Sequence, residues 1–333
     1  MDAFSEVLSS VKLEGALYFN AELSSPWAVT SPPSKLMTVD PLPRGKHLII
    51  FHLLTEGTAC AELDGGGPSI TLSAGEIMVV PHGAGHILWA GSRSAMVNRD
   101  SIVDMIQCRS LAPMRAGGNG EVTRFVCGYM ACDPELCRPI LAGLPRVLKV
   151  NVRTGGSGPW LEESIRRLVS EVGSHQPGSQ AMLAKLSEAL FVDTMRQYVA
   201  SLQDGEKGWL AGARDPVVGR SLAILHKRVS HCWTIAELAT EVGISRSVLV
   251  ERFTRYLCRP PMAYLTYWRL HVAARSLATS PRSVAEIAGE VGYESEAAFS
   301  RAFKREFGSP PAMFRRDARS GAADGRLAAA AVG

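Results

Sequence analysis

The spacing of apolar and polar residues divides the chain into regions of different texture. From about Leu13 to Val150 short apolar runs alternate with polar residues and are broken by Gly, Pro and Asp, as in HLIIFHLL, TACAELDGGG, SITLSAGEIMVVP and EVTRFVCGYMACD. Closely spaced runs of this kind predict an all-β sandwich or barrel. From about Trp160 to Leu202 the period changes. WLEESIRRLVSEVGS and QAMLAKLSEALFVDTMRQYVASL place apolar residues at i, i+3, i+4 and i+7, which predicts two helices. Gly and Asp cluster in QDGEKGWLAGARDP, and residues 206–216 are expected to form a linker. From Val217 to Arg316 the pattern reads as short helices. The low-complexity end, 321–333, is expected to be a disordered tail.

The last region contains an internal duplication. At an offset of 49, Thr234 meets Ser283, Glu237 meets Glu286, Ala239 meets Ala288 and Gly243 meets Gly292. One inserted residue then makes the offset 50, and Leu249 meets Phe299, Phe253 meets Phe303, and Pro260 and Pro261 meet Pro310 and Pro311. Each copy has a physical reading. Thr234 and Ser283 are helix caps with a Glu three residues on, the signature of a capping box. Ala236, Ala239, Ala285 and Ala288 are small enough to let a second helix cross closely. Gly243 and Gly292 suit a left-handed turn, and Ser245 and Ser295 suit the next cap. In the second copy Phe299, Phe303 and Phe307 form one stripe, while Ala297, Ser300, Arg301, Lys304 and Arg305 fall on the other side. This is the pattern of a helix-turn-helix.

Charge sharpens the picture. Between Arg220 and Arg319 there are 16 Lys and Arg against 9 Asp and Glu, a net of +7; with +4 overall, the remainder carries about −3. A basic C-terminal third on a slightly acidic body points to an anionic partner, for which nucleic acid is the usual candidate. Two matched helix-turn-helix copies in that third strengthen this over a merely solvated surface.

Over about 100 residues, SVAEIAGEVGYESEAAFSRAFKREFGSPPAMFR and GISRSVLVERFTRYLCRPPMAYLTYWRLHVAARSLATS resemble the DNA-binding domain of the AraC/XylS family of bacterial transcription regulators. The resemblance implies two helix-turn-helix units within 217–320, joined by a long helix at about Met262–Thr279. It implies recognition helices that read successive major grooves of promoter DNA, about one helical turn (~34 Å) apart. Ala297 and Arg301 match base-facing positions, and Arg301 is expected to bond guanine. Ser300, Lys304 and Arg305 are expected to hold phosphates. In the first unit Ser247, Val250 and Glu251 match base-facing positions, with Arg246, Arg252 and Arg255 nearby. Glu251 either accepts from cytosine or pairs with Arg255 one turn on.

In the β region, GEIMVVPHGAGHIL fits G-x5-P-x-G-x2-H through Gly75, Pro81, Gly83 and His86. This resembles the second motif of the cupin superfamily, a small β-barrel. The first motif, with His-x-His and a Glu, is missing, and Ile50 stands where the Glu belongs. Alternation puts His52 on the strand face of Ile50 and Leu54, the face expected to line the barrel. The pattern is also similar to the N-terminal cupin of one branch of AraC-type regulators, which often has a His in this strand and a CG at the position of Cys127. That resemblance implies His52, Cys60, His86 and Cys127 as a His2Cys2 set suited to zinc; the alternative is four satisfied core residues. Thiol sensing by Cys127, Cys132 and Cys137 is a third reading.

The seven cysteines include no CxxC pair, so no disulfide framework is expected. The N-terminus lacks the pattern of a secretory signal, and no run approaches the ~18 apolar residues of a membrane span. The expected protein is therefore a two-domain α+β molecule of the bacterial cytoplasm and nucleoid. Residues 1–205 form a cupin-like barrel (about 13–150) with flanking helices (about 160–202) for sensing and homodimerisation, followed by an all-α DNA-binding domain. Its expected partners are promoter DNA, a second copy, a small-molecule effector and RNA polymerase. The competing class is a cupin metalloenzyme, an oxygenase or isomerase with an accessory helical domain.

Overall fold

The computed structural model describes residues 5, 14–36, 47–97, 114–132, 141, 143–154, 158–171, 178–203 and 205–319. They divide into two compact units, one within Leu13–Cys132 and Leu144–Ser201, the other chiefly within Leu202–Gly333.

Among the described residues the first unit has ten strands: β1 (Glu14–Ser24), β2 (Trp27–Ser31), β3 (His47–Glu56), β4 (Thr58–Leu63), β5 (Ile70–Ser73), β6 (Glu76–Val80), β7 (His86–Ala90), β8 (Met114–Gly117), β9 (Val122–Cys132) and β10 (Leu148–Asn151). They form a six-stranded sheet, β10-β6-β3-β9-β1-β8, and a four-stranded sheet, β2-β7-β4-β5. The expected barrel is therefore not closed. Among the described residues no ladder joins the two sheets, and they enclose one core as two layers. That core takes Ile50 and Leu54 from β3, Met78 and Val80 from β6, Phe125, Cys127 and Tyr129 from β9, and Trp27, Ala59, Ala61, Leu72 and Leu88 from the smaller sheet. Trp27 and Phe125 meet edge to face across it, with centroids 5.6 Å apart. β3 is buried at every position from Leu48 to Leu54, which explains its nearly unbroken apolar run.

Among the described residues this unit also has two helices, α1 (Gly158–Glu171) and α2 (Ser179–Ser201). They pack on each other, and α2 also packs on β1 and β10. Glu162 of α1 is buried and receives the Arg153 guanidinium on both oxygens, at 2.6 and 2.7 Å. Arg166, one turn on, adds a second cation at 2.5 Å. A carboxylate at this depth is tolerable because it is paired and hydrogen-bonded.

The second unit is helical: α3 (Trp209–Arg214), α4 (Pro216–Lys227), α5 (Ile235–Val242), α6 (Arg246–Leu257), α7 (Pro261–Thr279), α8 (Val284–Glu290), α9 (Glu296–Phe307) and α10 (Pro311–Arg319). Here the expected linker is corrected. Residues 209–214 form a buried helix that packs on α4 and α6. Its Trp209 donates its indole N–H to Tyr264 Oη at 2.9 Å, and the same Oη lies 2.9 Å from His226 Nε2. His226 stacks on Trp268 at 4.0 Å, and burial pulls its pKa down to about 3, so it is neutral.

The duplicated hairpins are α5–α6 and α8–α9. Thr234 accepts from the Glu237 amide, Ser245 from Val248, Ser283 from Glu286 and Ser295 from Ala298. The full capping box exists only at Ser283, where the Glu286 carboxylate also receives the Ser283 amide at 2.6 Å. At Thr234 only half of it forms, because Glu237 is bonded instead to His231 Nε2 at 2.6 Å. Ala239 and Ala288 are buried as expected for close helix crossing, whereas Ala285 is exposed. Leu249, Phe253, Phe299 and Phe303 are fully buried. Burying each such side chain contributes on the order of 2–3 kcal/mol.

Candidate functional site

In the helical unit the buried stripes of α6 and α9 decide which side chains face water. Leu249 and Phe253 turn inward, leaving Ser247, Glu251, Arg252 and Arg255 exposed on the other side of α6, with Arg246 exposed at its first turn and Val250 half-buried. On α9, Phe299 and Phe303 turn inward and leave Ala297, Arg301, Lys304 and Arg305 exposed, with Ser300 half-buried. Glu251 makes no ion pair with Arg255, whose guanidinium lies over its neighbour Tyr256 at 5.9 Å. Arg252 reaches towards Asp215, 3.9 Å away. Val248, 41% exposed, is an apolar group on the same face that residue-type reasoning passed over. An exposed Val beside Ser247 suits contact with a thymine methyl group. The signal for it was its place in the 3.6-residue period, where it falls on the exposed arc with Glu251 and Arg255.

The β unit buries a second polar arrangement. His52 on β3 is directly opposite Cys127 on β9, and its Nδ1 lies 2.8 Å from Cys127 Sγ. His52 Nε2 lies 2.7 Å from Nε2 of His86, which comes from β7 in the other sheet. His86 Nδ1 lies 3.0 Å from the Ala84 carbonyl. His52, His86 and Cys127 are each at most 5% exposed. Proton positions follow from the Ala84 end. A carbonyl only accepts, so His86 Nδ1 donates and its Nε2 is an acceptor. His52 Nε2 therefore donates to it, His52 Nδ1 accepts, and Cys127 supplies an S–H. Burial supports this all-neutral order. It holds His86 below the usual histidine range and His52 well below it, His52 also being repelled by His86. The same burial raises the Cys127 thiol far above its ordinary value.

Three of the four expected ligands thus come together, and Cys60 does not join them. On β4 it is Ala59 and Ala61 that enter the core, and alternation puts the half-buried Cys60 on the opposite face. The two nitrogens of His52 are also committed to different partners. The four side chains do not converge on one point, and among the described residues no group of three or more His, Cys, Asp or Glu is arranged to hold a metal ion. Zinc does not fit this arrangement. Cys132 is buried on β9, while Cys108 and Cys137 lie outside the described residues.

A two-sheet β domain followed by a helical domain with paired, exposed, basic helix faces defines a class, a β-sheet domain joined to a helix-turn-helix domain. Residues 2–200 match the family model described as Cupin, and residues 238–317 match a helix-turn-helix domain model. The chain belongs to the cupin-bearing branch of the AraC-type transcription regulators. It is similar to the HTH-type transcriptional regulator AlkR of Acinetobacter baylyi, 27% identical over 95% of this chain and 99% of that one. It is also similar to the RCS-specific HTH-type transcriptional activator RclR of Escherichia coli K12, 28% identical over 95% of this chain and 97% of that one. The solved DNA-binding domain of AdpA, in complex with a target DNA, is 31% identical over 32% of this chain and 95% of that one, with a TM-score of 0.31. The relatives are transcription regulators, and the chain is a regulator rather than an enzyme. No helix among the described residues is long and apolar enough to cross a membrane.

Proposed function

We propose that this chain is a sequence-specific promoter-binding regulator in which α5–α6 and α8–α9 are two helix-turn-helix units whose second helices enter successive major grooves. The observation that carries the reading is the repeated geometry of α6 and α9: capped, buried on one stripe, and exposing Ser247, Glu251 and Arg255 in one copy and Ala297, Arg301 and Arg305 in the other. Arg301 reads guanine, while Lys304 and Arg305 hold phosphates. With no Arg255 pairing, Glu251 is left as an acceptor for cytosine N4.

The β unit acts as the sensor of a small molecule or an oxidant. Its responsive element is the His86–His52–Cys127 chain, because that chain is a buried, titratable link between the two sheets. The regulator acts as a homodimer alongside RNA polymerase.

Footprinting and binding titrations on the mapped promoter test the reading. Arg301→Ala is expected to weaken specific binding by about 1–3 kcal/mol while leaving weak, salt-dependent binding to unrelated DNA. An unchanged preference for the cognate promoter would remove Arg301 from the base-reading face.

A further inference from the structure

Arg269 lies in the middle of α7, the helix between the two hairpins. It is half-buried, and among the described residues its guanidinium pairs with no carboxylate. Its Nε donates to the Val229 carbonyl at 2.8 Å and its Nη2 to the His231 carbonyl at 2.7 Å. Those carbonyls belong to the tight turn between α4 and α5. The turn is closed on itself by His231 N–H to Arg228 O, Trp233 N–H to His231 O and the Trp233 indole N–H to Arg228 O. The middle carbonyl, Ser230, faces Gly292, the turn residue of the second hairpin. A Cβ on Gly292 would stand 2.5 Å from Ser230 O and 2.7 Å from Arg269 Nη2. The turn that leads into the first hairpin therefore approaches the turn of the second closely here, and the Arg269 fork closes over that approach.

We propose that Arg269 is a positioning residue which, with Gly292, locks the first hairpin against the second and so fixes the spacing between DNA half-sites that the chain accepts. The proposal rests on the reading that both α6 and α9 enter DNA. The planar fork matters because two donors on one rigid group satisfy two carbonyls in a fixed orientation, which a lysine does not do. Holding the two reading helices at one separation removes the cost of aligning them on binding. One base pair of extra spacing rotates a half-site by roughly 35° and shifts it by roughly 3.4 Å, so a locked pair rejects it and a loosened pair tolerates it.

The test uses the full chain and duplexes carrying the footprinted promoter site with zero, one or two base pairs inserted between its halves, plus duplexes with one half only. Wild type is expected to lose about tenfold or more in affinity on the first insertion. Arg269→Gln is expected to lose less than about threefold on that insertion, and to bind single halves as wild type does. Arg269→Lys is expected to fall between them, and it stands in if Arg269→Gln does not fold by circular dichroism. A folded variant that weakens all duplexes by one factor, with the spacing profile of wild type, overturns the proposal and leaves the two-groove reading intact. A wild type indifferent to spacing overturns both.

Discussion

The two hairpins share their caps and their buried stripes, yet their turns are held in different ways. Gly243 has φ +78° and a Cβ placed there would meet nothing within 4 Å. Gly292 has φ +83° and is pressed against Ser230 and Arg269. The first glycine is required only by the left-handed backbone, the second by the backbone and by a neighbouring turn. The helix ends differ in the opposite sense. α9 ends on Gly308 in the left-handed region, whereas α6 ends there on Cys258, φ 53°, where a side chain is strained. A duplicated unit thus keeps the groups that make each hairpin fold, while the groups that join one hairpin to the other appear on one side only. α6 and α9 each carry three cations, against one acid on α6 and two on α9, so the second copy is the anchored one and the first is the more basic. The first exposes Glu251 and Val248.

The largest expected effect separates the glycines. Gly292→Ala is expected to destabilise the helical unit by about 3 kcal/mol, since overpacking adds to strain, and Gly243→Ala by only about 1 kcal/mol. Urea unfolding of the two variants reads the difference, and equal losses would show that the close approach at Gly292 carries no energy. A smaller effect of opposite sign is expected at the helix end: Cys258→Gly should stabilise by about 1 kcal/mol, and no rise in the urea midpoint would show that the left-handed Cys258 is unstrained.

The smallest effect concerns pH. The bonds from the Ser283 amide and hydroxyl hold the Glu286 carboxyl below its ordinary value of 4.5. A carboxyl lowered in the folded state stabilises above its unfolded value, and that contribution is lost as pH falls through the folded one. The second hairpin should therefore loosen as pH drops below about 4.5, and Glu286→Gln should flatten that part of the stability-pH curve. A curve with the same slope in the variant would show that the second capping box adds nothing that the first lacks.

What was legible in the sequence was mostly local. Caps, turn glycines and the Phe stripe lie within one or two turns of each other, so their spacing carries the information, and the structure places them as expected. The half-formed box at Thr234 was hidden by His231, which competes for Glu237 from outside the motif. The helix at 209–214 was obscured because Gly208, Gly212 and Asp215 look like loop residues. The better signal was Asp215-Pro216, a cap followed by a proline at the first helical position. His52 was assigned correctly to the inner face because alternation within one strand is reliable. Cys60 was not, because the phase of alternation does not carry through the turn at Gly57. Open sheets and a closed barrel share the same alternation and differ only in edge pairing, which no local pattern records.

Asp215 closes α3 and opens α4, with its own amide bonded back to Ala211 and Gly212 and its carboxylate capping Val217 and Val218. One residue is the whole connection, so there is no slack between the two helices. A twist applied at Gly208 is handed to α4 as it would be through a keyed shaft, instead of being dissipated in a hinge.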